Sequence, residues 1–100
     1  QIQMMKYKQV LIIKGNNQEL LNNLFTNNLK FKVLILPDVV KIGDGNQQNP
    51  NKFAHIQLLV AHKLEEIKDY CFQNTCISKV VGNKIKKIGV YSFEDSYFMQ

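Results

Sequence analysis

At 100 residues, 45% of them hydrophobic and 21% charged, the chain supports one domain with a single core and leaves no room for a separate catalytic domain. Its formal charge of +5 rests on 13 lysines and no arginine, which suits a polyanionic partner but excludes the bidentate arginine contacts that read guanine. No apolar run reaches the roughly 20 residues that span a bilayer, and QIQMMKYKQV lacks a secretion signal's apolar stretch, so an intracellular protein with no membrane partner is expected.

In chain order, KQVLIIKG (8–15) is a β-branched run closed by Gly15 and predicts a strand. NQELLNNLFTNNL (17–29) places Leu20, Leu21, Leu24, Phe25 and Leu29 on one helical face, with Asn16 or Asn17 as its cap. KFKVLILP (30–37) predicts a second strand that Pro37 ends, and GDGNQQNPN (43–51) a loop without a phosphate-binding glycine pattern. NKFAHIQL (51–58) alternates as a strand does, yet it also merges into the helical spacing of Val60, Leu64, Ile67 and Cys71. Its place in the order favours a third strand over 53–59, followed by a helix over 62–74. A short element at CISKVV (76–81), a turn at 82–84 and a fourth strand at KKIGVYSF (86–93) complete the chain.

The order β-α-β-β-α-β predicts an α+β, ferredoxin-like sandwich: a four-stranded antiparallel sheet with both helices on one face and the other face open. The domain spans 1–92, with 93–100 as a C-terminal tail.

Across nearly its whole length the chain resembles an RNA recognition motif. The resemblance to that family's third-strand signature falls on NKFAHIQL, where Phe53 takes the first aromatic position, Ala54 the small one and His55 the second aromatic. The first-strand signature falls on VLIIKG, with Leu11 where the family usually has an aromatic residue. IGVYSFEDSYFMQ (88–100) is similar to the end of the first such motif in La and La-related proteins. That likeness implies binding to small non-coding RNA, as in the La-family subunit of ciliate telomerase, and other ribonucleoprotein subunits as partners in the nucleus.

On this reading the open sheet face carries function. Its outward set is Leu11, Ile13, Leu34, Leu36, Phe53, His55, Gln57 and Tyr91. Phe53 stacks on a base or lies beneath the tail, and His55 and Tyr91 assist. Lys14, Lys32, Lys52 and Lys87 flank the face and meet phosphate. The second reading is a protein-interaction domain that uses the same apolar face, and the third a small ferredoxin-like enzyme or ligand sensor.

Cys71 and Cys76, five apart, do not match zinc-ligand spacing with His55 and His62, so neither a metal nor any other cofactor is expected. Glu65, Glu66 and Asp69 form the solvated side of a helix, and no catalytic cluster emerges, so the chain is expected not to be an enzyme.

Overall fold

The computed structural model of the protein describes residues 2–19, 21, 30–46 and 53–96. They contain eight short strands: β1 (Gln3–Tyr7), β2 (Val10–Lys14), β3 (Val33–Ile35), β4 (Lys41–Ile42), β5 (Leu58–Val60), β6 (Glu66–Ile67), β7 (Lys79–Val81) and β8 (Lys87–Ile88). A five-stranded sheet has the order β1-β2-β3-β5-β7 and a three-stranded sheet the order β4-β6-β8. Every pairing is parallel except that of β1 with β2.

From β3 onward the chain visits the two sheets alternately, and each return to a sheet adds a strand beside the previous one. The path is a solenoid of four coils that begin at Val10, Val33, Leu58 and Lys79, spaced 23, 25 and 21 residues apart. In register, Leu11, Leu34, Leu59 and Val80 stack in one inward column. Ile13, Leu36 and Ala61 are fully buried beside it, and Ile42 and Ile67 stack on the side of the smaller sheet. A coil this thin cannot bury its apolar side alone, so the repeated placement of aliphatic residues is what makes the stack stable.

The backbone is tied between coils well beyond the strands. Lys32 N donates to Gln9 O at 2.9 Å, Gln57 N to Lys32 O at 2.8 Å and Ser78 N to Gln57 O at 2.9 Å, one bond per coil at the same place. On the other side Glu65 N donates to Val40 O and Lys86 N to Glu65 O, both at 2.8 Å. Coils 3 and 4 share their turn geometry. Tyr70 and Tyr91 have φ of 62° and 57°, and Asn74 and Asp95 have 57° and 56°. Asn and Asp tolerate this left-handed conformation well. At Gly89 the backbone of coil 3 passes so closely that a Cβ would collide with Asp69 N and the Lys68 carbonyl carbon.

An aromatic column runs through the stack. The Phe53 and Phe72 rings lie 5.2 Å apart and the Phe72 and Phe93 rings 5.6 Å apart, the latter pair nearly parallel at 19°. Phe93 thus packs against coil 3. At the opposite end β1 folds back on β2 through a turn at Lys8, whose φ is 52°.

This architecture corrects the α+β, ferredoxin-like expectation. In a βαββαβ sandwich the central strands are antiparallel, whereas β2, β3, β5 and β7 run parallel in sequence order. The helix expected over 62–74 is instead β6 followed by turns. Leu64, Ile67 and Phe72 face inward because the chain turns corners between them, and their spacing imitates a helical face. The third strand lies at Leu58–Val60, with Phe53–His55 in a turn before it. Most of the helix expected over 17–29 falls outside the described residues, of which Gln18, Glu19 and Leu21 have helical backbone.

Candidate protein-interaction surface

Strand parity decides what the large sheet presents. In β2 the burial alternates, with Leu11 and Ile13 inside and Val10 and Ile12 half-buried on the outer side. β3 and β5 repeat this, with Leu34 and Leu59 inside and Val33, Ile35, Leu58 and Val60 outward. Cross-strand partners share a face. One outer row therefore reads Tyr7, Val10, Val33, Leu58, Lys79 and the next Met5, Ile12, Ile35, Val60, Val81. Lys79 is the one charged side chain in either row. Tyr7 and Met5 are exposed, so hydrophobic surface continues onto β1.

The smaller sheet carries charge instead. Lys41, Glu66 and Lys87 stand side by side in register. The Glu66 carboxylate lies 3.9 Å from Lys41 Nζ and 3.8 Å from Lys87 Nζ, so one anion is shared by two cations. Lys86 and Glu65 pair in the same way at 3.7 Å.

The residues singled out from the sequence are dispersed. Leu11 and Phe53 are each 1% exposed and belong to the core, as do Ile13, Leu34 and Leu36, so the face expected to point outward is the inner one. His55 and Lys32 are exposed and meet, with Lys30, Gln57 and Cys76, around a depression of about 330 Å³. Lys14 lines a second depression, of about 250 Å³, with Ile2, Gln3 and Gly15. Tyr91 is exposed and its ring stacks on Tyr70 at 5.6 Å, while Lys87 belongs to the charged ladder. Lys52, Tyr97, Phe98 and Met99 lie outside the described residues. Among the described residues no three His, Cys, Asp or Glu side chains gather as metal ligands do.

Sequence reasoning missed Val10, Ile12, Val33, Ile35, Leu58 and Val60 as the outward set. A signal was present: VLI recurs at 10–12 and 33–35, then LLV at 58–60 and KVV at 79–81. A search for internal repeats brings these segments into line.

The comparison with protein families agrees with that repeat. A family model described as "BspA type leucine-rich repeat region (6 copies)" matches residues 4–100. The chain belongs to the BspA-type leucine-rich repeat family. Its four coils are repeats of that family, and their inward leucines and isoleucines are the conspicuous feature of the sequence. This overturns the resemblance to the RNA recognition motif and, with it, the La-related, telomerase and RNA-binding readings. The aromatic signature at Phe53 is a core position of a leucine-rich coil, and the first-strand run around Leu11 opens another. No match was found among curated proteins or among solved structures.

Proposed function

We propose that this leucine-rich repeat domain is a non-catalytic scaffold that binds another protein through the outer face of its five-stranded sheet. The observation that supports this is the pair of apolar rows across β1, β2, β3, β5 and β7. Contiguous apolar surface of this kind is uncommon on a soluble domain without a binding role. Stacked repeats turn short strands into one extended surface, which is how solenoids build binding sites. The interaction reading suits a partner with an apolar centre and carboxylates at its margin, since Lys14 borders the rows and Lys79 ends one of them.

Selection of displayed peptides on the folded domain tests this. Peptides that emerge should shift the amides of β3 and β5, and an Ile35→Lys, Val60→Lys variant with unchanged circular dichroism should lose them. Peptides that bind this variant as well as the wild type would overturn the reading.

A further inference from the structure

The corner that leads into the large sheet gathers charge of one sign. Backbone bonds align Gln9, Lys32, Gln57 and Ser78 in one row, each just ahead of its strand. Lys30, His55 and Cys76 stand three residues ahead of Val33, Leu58 and Lys79, which are themselves in register. Lys30, Lys32, His55, Gln57 and Cys76 together line the depression of about 330 Å³. Its cations lead into coils 2 and 3, in the middle of the stack, and all of them are exposed.

The chain sets no anion against them. Among the described residues no carboxylate lies within ion-pair distance of Lys30, Lys32 or His55. Glu65 and Glu66 pair with Lys86, Lys41 and Lys87, and Asp38 with Lys63. Residues 20–37, 45–64 and 70–93 contain no Asp or Glu, so the segments that flank the depression in sequence cannot supply one. Like charges gathered in one concavity repel, and an arriving anion relieves that repulsion.

The donors define the anion. A phosphate monoester carries about −1.5 to −2 charges at pH 7 and three acceptor oxygens, which matches two lysines with His55 and Gln57 as further donors. A carboxylate has one charge and two oxygens, and it leaves one lysine unmatched. Lysine meets phosphate as a point charge, without the planar fork that arginine offers a carboxylate. Position adds a second requirement. Lys32 precedes Val33 and Gln57 precedes Leu58, so a phosphoryl group in the depression lies beside the first outer apolar row.

We infer that this depression holds a phosphorylated serine or threonine side chain of the partner protein, with the aliphatic residues that follow it on Val33, Leu58 and the next row. The source of the phosphoryl group rests on the outer-face reading proposed above, whereas the anion site itself does not.

The probes are capped phosphoserine, capped glutamate and inorganic phosphate, titrated at constant ionic strength into the isotope-labelled full chain and followed by amide chemical shifts. Phosphoserine should give saturable shifts confined to residues 30–32, 55–57 and 76–78, with an affinity about tenfold above that of glutamate. Lys30→Gln with Lys32→Gln alters two exposed side chains, so the melting temperature should stay unchanged while that affinity falls about tenfold. Extending the phosphoserine probe by two isoleucines should tighten binding further, and the Ile35→Lys, Val60→Lys variant should lose that gain alone. Absence of saturable shifts, glutamate binding as well as phosphoserine, or indifference to the lysine changes would overturn the proposal. Inorganic phosphate binding as tightly as the extended probe would also sink it, in favour of a free anion. Phosphoserine that exceeds inorganic phosphate yet gains nothing from the isoleucines would uphold the depression and count against the outer face alone.

Discussion

Phe72 shows how a single residue serves the stack. It is fully buried, in coil 3, with Phe53 on one side and Phe93 on the other, so it links elements 21 and 19 residues away in sequence. Phe72→Ala removes a large buried side chain and both ring contacts. A loss of about 3–5 kcal/mol is expected, to be read from the urea midpoint. Domains of this size have about 5–15 kcal/mol in total, so the variant stands near the limit of folding. Phe72→Leu keeps most of the volume and is expected to retain the fold with a smaller loss. At this scale the sequence misled: Phe53 and Leu11 were assigned to an outward RNA-binding face, and both lie in the core. A side chain's direction in a uniformly apolar strand depends on which face the rest of the chain covers. VLII and VLIL carry no polar alternation to reveal it.

Among the elements, the smaller sheet is the one whose strands are held by charge as well as by backbone. Glu66 stands between Lys41 and Lys87, less exposed than either. Glu66→Lys places three cations in one row, which like-charge pairing penalises. A stability loss of about 1 kcal/mol at low salt is expected, because partly exposed pairs are screened by solvent. Thermal melts should show the gap between variant and wild type narrowing in molar salt, where screening acts over about 3 Å. A gap independent of salt would mean that packing of the Glu66 stem, rather than its charge, holds the row. The same segment explains an illegible element. Leu64, Ile67 and Cys71 have helical spacing, and two-residue strands separated by corners leave no period of their own to oppose it. The β2 and β3 strands were legible because β-branched runs bounded by Gly15 and Pro37 allow little else.

For the whole molecule, the topology was illegible because the repeat is uneven. Coil lengths of 23, 25 and 21 residues and substitutions such as Lys79 for Leu58 blur the self-similarity, although KIG recurs at 41–43 and 87–89. Once the repeat is recognised, a consequence for unfolding follows. Each coil of a solenoid contacts its neighbours alone, so stability is a sum of coil and interface terms and opening proceeds from the ends. Among the described residues, β3 and β5 have a parallel coil on both sides, while β1 is an exposed strand paired on one side. Native-state hydrogen exchange should therefore give graded protection, slowest at the amides of β3 and β5 and fastest at β1. Equal protection in every coil would show that the four coils open as one unit, and that the coil interfaces are strong enough to suppress fraying from either end.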